Sequence, residues 1–263
     1  MLTATHPALH VETTGEGTPL VMLHGWAMHG GLFAPIVPAL SQRHRVHVVD
    51  LPGHGRSGTE RPWTLARVVD ALEQRFADAG TVSVLGWSLG GAVAIAWARR
   101  FPARIDKLVL VSTTPRFVAA GDWPCAMTAE TLARFADELR VSFRQTLLRF
   151  LALQVRGSDE GRVVLAALRG QLFERGEPAP SVLAESLAAL REIDLRDDAR
   201  RLPHAALVVT GAQDTLAPAE AGAWLAAALP RGRLHAFDAA AHAPFLSHRD
   251  AFVDVVAAFL RDG

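Results

Sequence analysis

A short segment that combines a strand pattern, a serine and three glycines constrains this chain more than any other feature. Residues 81–87 (TVSVLGW) are mostly apolar and rich in valine, which favours a buried strand. The alanine-rich residues 92–100 (AVAIAWARR) favour a helix. Glycines at positions 86, 90 and 91 surround Ser88, so the chain can turn sharply between the two elements. The segment therefore predicts a strand, a tight turn that holds Ser88, and a helix.

The spacing of this segment, Gly86-x-Ser88-x-Gly90, is that of a nucleophile elbow, in which strained backbone lifts a serine hydroxyl above the end of a strand. Side chains at positions 86 and 90 would collide across such a turn. The free N–H groups of the following helix point toward the hydroxyl. The alternative is a structural serine in a glycine-rich turn. Because the required strand precedes Ser88 and the required helix follows it, we predict that Ser88 is a nucleophile.

The rest of the chain alternates strands with helices, which predicts an α/β fold with a mostly parallel, doubly wound sheet. Further strands are predicted at residues 9–13, 19–23, 46–50, 105–112, 205–211 and 233–237, and further helices at residues 31–40, 64–79, 219–229 and 250–261. Between about residues 117 and 190 the strand patterns stop, and helical periodicity appears at residues 129–139, 141–154, 159–175 and 181–191. We interpret residues 116–191 as a helical lid, and residues 1–115 and 192–263 as the core into which the lid is inserted.

Composition and charge argue against several classes of function. Lys and Arg number 27 and Asp and Glu number 27, so no overall field favours nucleic acid or a membrane surface. Cys125 is the only cysteine, which excludes an intrachain disulfide and fits a reducing compartment. Residues 1–11 contain no basic region and no long apolar run, so we expect no signal peptide and a cytoplasmic enzyme. Neither metal-ligand spacings nor a dinucleotide-binding glycine pattern is present, and we expect no metal and no cofactor.

A nucleophilic serine needs a base, and the base needs an orienting group. In the architecture that surrounds such an elbow, the acid and the histidine follow the serine in that order, on loops after later strands. Asp214 follows the predicted strand at residues 205–211, and His242 follows the last strand. The rival position for the acid, after the strand at residues 105–112, offers no carboxylate. We therefore predict a triad of Ser88, Asp214 and His242; the alternatives are a turn aspartate and an ordinary loop histidine.

An acyl-transfer site must also bind the oxyanion of the tetrahedral intermediate, and backbone N–H groups commonly do so. Leu89, directly after the nucleophile, is predicted to supply one N–H group. Trp26, after the glycine of an early His-Gly pair, is predicted to supply the other. The rings of Trp26 and Trp87 either line an acyl pocket or pack in the core. The histidines of the early loops, His24 and His54, are expected to support those loops rather than to catalyse.

The lid carries an excess of positive charge. Between residues 140 and 169, six arginines accompany only two acidic residues, a net excess of four charges in a neutral protein. Arg140 and Arg144 are predicted to share a helix face, as are Arg162 and Arg169. Apolar residues form the other side: Phe143, Leu147, Phe150, Leu151 and Leu153. A basic face beside an apolar site suits a substrate with an apolar acyl end and an anionic carrier, such as phosphopantetheine on an acidic carrier protein. The alternative is a solvated helix face.

Four segments together resemble one family: residues 24–26 (HGW), 86–91 (GWSLGG), 149–154 (RFLALQ) and 240–245 (AAHAPF). From about Leu20 to the carboxyl end, the chain resembles the pimeloyl-acyl-carrier-protein methyl ester esterases of biotin synthesis. The elbow and the His-Gly pair are shared by many α/β hydrolases. The combination of Trp26 with the last two segments is much more specific to this one family. The resemblance implies an α/β-hydrolase fold and a serine carboxylesterase that cleaves the methyl ester of pimeloyl-acyl-carrier protein and frees the pimeloyl carboxylate.

The resemblance also implies roles for individual residues. It implies the same triad, with Trp26 and Leu89 at the oxyanion and substrate site. It implies an acyl channel along five consecutive residues: Phe150, Leu151, Ala152, Leu153 and Gln154. It further implies that lid arginines bind the carrier protein; Arg149 and Arg162 match the family positions well, and Arg144 and Arg169 match them approximately. The expected partner is an acyl-carrier protein, and we expect a monomer.

Other functions on the same residues stay open at this point. A broad short-chain carboxylesterase or a carbon–carbon bond hydrolase would use the same triad. A non-catalytic ligand-binding protein is disfavoured because the serine, the acid and the histidine are all present. Haloalkane dehalogenases and epoxide hydrolases are disfavoured because they place an aspartate where this chain has Ser88.

Overall fold

The computed structural model describes residues 8–59 and 61–261, and the strands within them form one sheet. The strands are β1 (Val11–Thr14), β2 (Thr18–Leu23), β3 (His44–Val49), β4 (Val82–Trp87), β5 (Ile105–Val111), β6 (Ala205–Gly211) and β7 (Arg231–Phe237). They lie in the order β1-β3-β2-β4-β5-β6-β7. Only β1 is antiparallel, to β3, and every other pair is parallel. The α/β fold with a mostly parallel sheet is thus confirmed. The expectations for residues 1–7, 262 and 263 lie outside the described residues.

The middle of the sheet is covered on both faces, which explains why its strands are almost continuously apolar. Every residue of β4 is buried. In β5 only Asp106 is exposed. In the edge strand β7, by contrast, six of the seven residues are exposed or half-buried, and they include Arg231 and Arg233. The core therefore centres on β4 and its neighbours, and the loop after β4 is held by the best-packed part of the molecule.

Helices flank the sheet and fill the connection between β5 and β6. They are α1 (Val37–Leu40), α2 (Leu65–Arg75), α3 (Leu89–Arg100), α4 (Ala129–Val141), α5 (Phe143–Leu153), α6 (Gly161–Gln171), α7 (Pro180–Glu192), α8 (Arg196–Ala199), α9 (Ala219–Ala228), α10 (Pro244–Ser247) and α11 (Arg249–Arg261). Along the described residues, no helix combines the length and apolar character that crossing a membrane requires. The helix predicted at residues 31–40 is replaced by a 3₁₀ turn (Gly30–Phe33) and the single turn α1. Two prolines, Pro35 and Pro38, lack the N–H groups that one continuous helix needs.

The segment interpreted as a lid, residues 116–191, contains α4 to α7, and α7 ends one residue beyond the predicted boundary. Its second predicted helix, residues 141–154, begins later, because Ser142 has non-helical backbone angles (φ −135°, ψ 58°). This break puts Arg140 on α4 and Arg144 on α5, so the prediction that they share a helix face is wrong. Arg162 and Arg169 do lie on one helix, α6.

The lid is tied to the core by buried polar contacts. Arg175, which follows α6, places one guanidinium nitrogen 3.3 Å from Asp50 and another 2.7 Å from Glu12. The Trp26 indole N–H lies 3.2 Å from the Leu183 carbonyl oxygen on α7. These contacts join the lid to β1 and to the loops that leave the carboxyl ends of β2 and β3, where parallel sheets of this kind usually bind their ligands.

Candidate active site

Ser88 occupies the turn between β4 and α3 in the strained conformation expected of an elbow. Its backbone angles are φ 55° and ψ −115°, in a region that residues other than glycine rarely adopt. A Cβ atom at Gly86 would collide with the Gly90 carbonyl oxygen, and one at Gly90 would collide with the Leu23 carbonyl oxygen. The Ser88 N–H donates to the Val111 carbonyl oxygen at 2.9 Å, which fixes the turn to β5. Both glycines are therefore needed for the close approach of the turn to its neighbours.

Asp214 and His242 come together although 28 residues separate them. Asp214 lies in the loop after β6 and His242 in the loop after β7. The imidazole Nδ1 is 2.7 Å from Asp214 Oδ2, and the two side chains are 3% and 0% exposed. Because a carboxylate oxygen only accepts, the proton of this bond sits on Nδ1, and in the neutral imidazole Nε2 is then the acceptor. This is the tautomer that a general base requires.

Two contacts bring this pair to the elbow. The indole N–H of Trp87 donates to the main-chain carbonyl oxygen of His242 at 2.8 Å. The Trp87 and His242 ring centroids are 5.5 Å apart. Gly25, on the loop after β2, also lies against the elbow, since a Cβ atom at Gly25 would be 3.3 Å from Ser88 Cβ. The loops after β2, β4, β6 and β7 thus meet at one edge of the sheet, where the sequence placed the candidate residues.

Two backbone N–H groups on the loops that meet at Ser88 are candidates to bind an oxyanion. Leu89 is the first residue of α3, so its N–H has no acceptor within the helix. Trp26 follows Gly25, and its backbone N–H makes no hydrogen bond to another residue in the described part of the chain. Both residues are buried, at 1% and 3% exposure. A buried donor without a protein partner is costly, and a developing oxyanion can supply the missing acceptor.

The side chain of Trp26 is held by the lid. Its indole N–H also lies 3.1 Å from the hydroxyl of Ser186 on α7. Its ring makes edge contacts with Phe150 and Phe135, at centroid distances of 5.1 and 5.6 Å. Phe135 was not predicted from the sequence. Its helical periodicity places it on the inner face of α4, but no local pattern indicates that it meets Trp26, more than a hundred residues away.

The five residues predicted along an acyl channel do not share one face of α5. Phe150 is half-buried, Leu151 is fully buried and Gln154 is 1% exposed, whereas Ala152 is exposed and Leu153 is 39% exposed. A helix with 3.6 residues per turn cannot direct five consecutive side chains to one side. The expectation is therefore narrowed to Phe150, Leu151 and Gln154. Gln154 also reaches the site through its backbone, because its carbonyl oxygen accepts the His242 N–H at 3.0 Å.

His24 and His54 are buried beneath the early loops in a neutral form. The Leu51 N–H donates to His24 Nε2 at 2.9 Å, so His24 Nδ1 carries the proton and donates to the Gly25 carbonyl oxygen at 2.8 Å. Burial is the main cause that lowers the pKa of His24 to about 3. Burial likewise lowers the pKa of His54 to about 4. Their contacts are to loop backbone, as expected for residues that support loops, and His24 fixes the peptide of Gly25 beside Ser88.

The four arginines proposed to bind a carrier protein fall into two pairs. Arg144 makes a two-pronged contact with Glu177, at 2.9 and 3.1 Å, and Arg149 contacts Glu138 at 2.9 Å. Arg162 and Arg169 are exposed on α6, and neither forms an ion pair with another described residue. No group of three or more His, Cys, Asp or Glu residues between 8 and 261, Glu60 excepted, is arranged to hold a metal ion. The pair on α6 is the one that is free to contact a partner.

Comparisons with known proteins extend well beyond the elbow. The family model for the alpha/beta hydrolase fold matches residues 18–249. A protein of Nitrosomonas europaea named pimeloyl-[acyl-carrier protein] methyl ester esterase is 45% identical over 246 residues, covering 94% of this chain and 97% of that protein. A protein of the same name from Chromobacterium violaceum is 45% identical over 252 residues, covering 96% and 98%. Among solved structures, an enol-lactonase from Burkholderia xenovorans matches with a TM-score of 0.85 and 26% identity over 97% of both chains.

Proposed function

The chain belongs to the α/β-hydrolase fold family and, within it, to the pimeloyl-[acyl-carrier protein] methyl ester esterases, and we propose that it hydrolyses the methyl ester of pimeloyl-acyl-carrier protein in biotin synthesis. The products are pimeloyl-acyl-carrier protein and methanol. The observation that carries the proposal is the buried pair of His242 and Asp214, in which the main chain of His242 accepts a hydrogen bond from Trp87, the residue that precedes Ser88. A neutral imidazole with a free Nε2 beside an elbow serine is the minimum arrangement for acyl transfer through a serine ester.

In the proposed mechanism, His242 Nε2 takes the proton from the Ser88 hydroxyl as its oxygen attacks the methyl ester carbonyl. Asp214 stabilises the resulting imidazolium through the 2.7 Å contact to Nδ1. The N–H groups of Leu89 and Trp26 bind the oxyanion, and one such donor contributes roughly 3–4 kcal/mol in the transition state of other hydrolases. The imidazolium then protonates the departing methanol. A water molecule, deprotonated by the same Nε2, hydrolyses the acyl-enzyme.

The aromatic cluster of Trp26, Phe135 and Phe150 supports an apolar acyl chain as substrate. It lies between the lid and the loop that carries the oxyanion donor, so a methylene chain there would be removed from water. Burying each methylene contributes about 0.8 kcal/mol. Phe150 and Leu151 on α5, and Gln154 directly after it, are proposed to continue this channel. The cluster supports a chain of several methylenes better than it supports a short acetyl group.

The carrier protein is proposed to bind on the lid, at Arg162 and Arg169 first. Their guanidinium groups are exposed and have no acidic partner among the described residues. Arg149 and Arg144 are proposed to contribute only by exchanging their present partners, Glu138 and Glu177, for acidic groups of the carrier. We further propose that the protein acts as a monomer in the cytoplasm; its single cysteine supports a reducing compartment.

The decisive test compares the wild type with Ser88→Ala on a carrier-linked pimeloyl methyl ester. Methanol release should fall by about 10⁴-fold or more, because removing the nucleophile removes the covalent route. Ser83→Ala is the matched control: Ser83 lies on the same strand, and its hydroxyl lies 3.3 Å from Asp106 at the other end of β4. Retained methanol release by Ser88→Ala, with the fold intact by circular dichroism, would refute the role of Ser88.

The same preparation separates this function from a broad esterase or a carbon–carbon bond hydrolase. The proposal expects kcat/KM for the carrier-linked methyl ester to exceed that for p-nitrophenyl acetate by at least about tenfold, since only the former occupies the lid and the channel. Equal values favour a broad short-chain esterase. Growth of a biotin-requiring strain that lacks its own esterase should be restored by the wild type and not by Ser88→Ala.

A further inference from the structure

Trp87 is enclosed by the loops of the active site and offers no open surface to a substrate. The residue is 1% exposed. Phe245 meets its ring edge-on at a centroid distance of 5.3 Å. A Cβ atom at Gly25 would lie 3.0 Å from Cε3 of the indole. The sequence left open whether this ring lines an acyl pocket or packs in the core, and the structure supports packing. The indole nitrogen, however, makes a hydrogen bond of its own.

The indole nitrogen can only donate, and in this site it donates to the catalytic loop. Its acceptor is the main-chain carbonyl oxygen of His242, at 2.8 Å. The bond is buried at both ends, since His242 is 2% exposed. Buried donors are almost always paired, so the bond is part of the folded state and not an occasional contact.

His242 is held by three hydrogen bonds that come from three elements. Its N–H donates to the Gln154 carbonyl oxygen after α5 at 3.0 Å, its carbonyl oxygen accepts from Trp87, and its Nδ1 contacts Asp214 at 2.7 Å. The neighbouring residues 239–241 and 243 are all alanines. Alanine side chains have no rotamers, so this loop is oriented by close contacts and hydrogen bonds of its backbone, among them the bond from the Gln213 N–H to the Ala240 carbonyl oxygen at 2.9 Å. The main-chain bonds on either side of His242 must fix the peptide planes from which the imidazole projects.

We propose that Trp87 is a positioning residue that sets the distance between the general base and the nucleophile. Ser88 follows Trp87 directly in the chain, so the indole bond fixes the His242 backbone relative to the residue beside the reacting hydroxyl. Of these three hydrogen bonds, the one from Trp87 joins His242 to the elbow. The other two join His242 to the loop after β6 and to the residue after α5. The inference rests on the proposed function, because it assumes that Ser88 and His242 react together.

The test removes the N–H group of Trp87 and keeps its shape. In Trp87→Phe, kcat for p-nitrophenyl acetate and the rate of labelling by a fluorophosphonate should both fall by about tenfold or more, since small misplacements of reacting groups are costly. KM should stay within about twofold, because no substrate contact is lost. A second variant carries 3-benzothienylalanine at position 87, which retains the bicyclic ring, replaces N–H with sulfur, and keeps the test valid if Trp87→Phe folds poorly.

Trp97 provides the matched control. It is fully buried, and its indole N–H donates to Glu73 at 2.9 Å, away from the active-site edge. Trp97→Phe should lower the melting temperature without changing kcat or the labelling rate. Unchanged kcat in both position-87 variants, or equal losses of kcat at positions 87 and 97, would overturn the positioning role. Failure of the wild type itself to react with the fluorophosphonate would instead refute the proposed function.

Discussion

The two oxygens of Asp214 contact different partners. Oδ1 accepts the N–H groups of Leu216 and Ala217, both at 2.9 Å. Oδ2 alone faces His242. The backbone donors therefore fix the carboxylate plane, and the plane fixes the ring of His242. This division explains why an acid in a tight loop after β6 orients the base better than a freely rotating side chain could.

Asp214→Asn is expected to reverse the tautomer of His242. The two backbone N–H groups require an oxygen at the Oδ1 position, so the amide NH₂ of asparagine must face Nδ1. Nδ1 then accepts, Nε2 carries the proton, and the base cannot take a proton from Ser88. By comparison with the same change in a serine protease, kcat should fall by about 10⁴-fold with little change in structure. Steady-state kinetics on p-nitrophenyl acetate measures the effect.

Asp238→Asn is a suitable control. Asp238 is exposed just after β7, and its substitution removes the same charge from the same end of the sheet. Its kcat should equal that of the wild type. A comparable loss in both variants would show that net charge near the loops, and not the tautomer of His242, governs the rate.

The residues that follow strands could be predicted from the sequence, whereas the contacts between distant loops could not. Ser88, Asp214 and His242 each come after a recognisable apolar strand, and parallel strands bring such positions to one edge. The Trp87–His242 bond joins residues 155 positions apart, and no local pattern reveals it. Similarity to a family segment does not predict that Ala152 and Leu153 are exposed, because similarity extends over consecutive residues whereas a helix turns them to different sides.

At the scale of elements, α6 presents on one surface two positive charges that have no acidic partner among residues 8–59 and 61–261. Arg162 and Arg169 are seven residues apart, which is about two helical turns and returns to nearly the same face. Between them on this helix, Val163 is 65% exposed. The surface therefore combines charge with some apolar area, whereas the arginines on α5 face Glu177 and Glu138.

Reversing the charges on α6 should weaken carrier binding without affecting the chemical step. In Arg162→Glu/Arg169→Glu, KM for the carrier-linked methyl ester should rise by about tenfold, and its salt dependence should decrease. The rate constants for p-nitrophenyl acetate should not change. Arg45→Glu is the control, because Arg45 is exposed near the amino end of β3, on the opposite edge of the sheet. An unaltered KM in the double variant would exclude α6 as the docking surface.

The existence of the helices was predictable, but their ends depended on single residues. Periodicity indicated apolar faces for α4 to α7, yet it does not register a local change in backbone angles such as that at Ser142. Pro35 and Pro38, by contrast, are sequence signals for the division of the helix predicted at residues 31–40. The placement of helices α4 to α7 between β5 and β6 agrees with the absence of strand patterns over that segment.

At the scale of the whole molecule, the core contains ionisable groups that stay neutral. His24 and His54 lie with ring centroids 5.3 Å apart, and both are fully buried. Burial lowers the pKa of His24 to about 3 and that of His54 to about 4, well below the usual value of 6.5. His54 Nε2 has no hydrogen-bond partner within the described residues. Protonation of either ring is therefore much easier in the unfolded chain than in the folded protein.

This difference predicts that the protein loses stability in mild acid. Between about pH 6.5 and pH 4 the unfolded state binds more protons than the folded state, so the free energy of unfolding rises with pH across this range and levels off above it. For His54 alone, with its pKa lowered from 6.5 to about 4, the loss between pH 8 and pH 5 is about 2 kcal/mol. His54→Phe should remove this share of the loss, because phenylalanine cannot be protonated. Urea unfolding of both proteins at pH 8 and pH 5 measures the loss in the free energy of unfolding. For each protein the pH 5 value is subtracted from its own pH 8 value, so that the effect of the substitution on packing cancels. Parallel losses in the wild type and His54→Phe would show that His54 is not neutral in the folded protein.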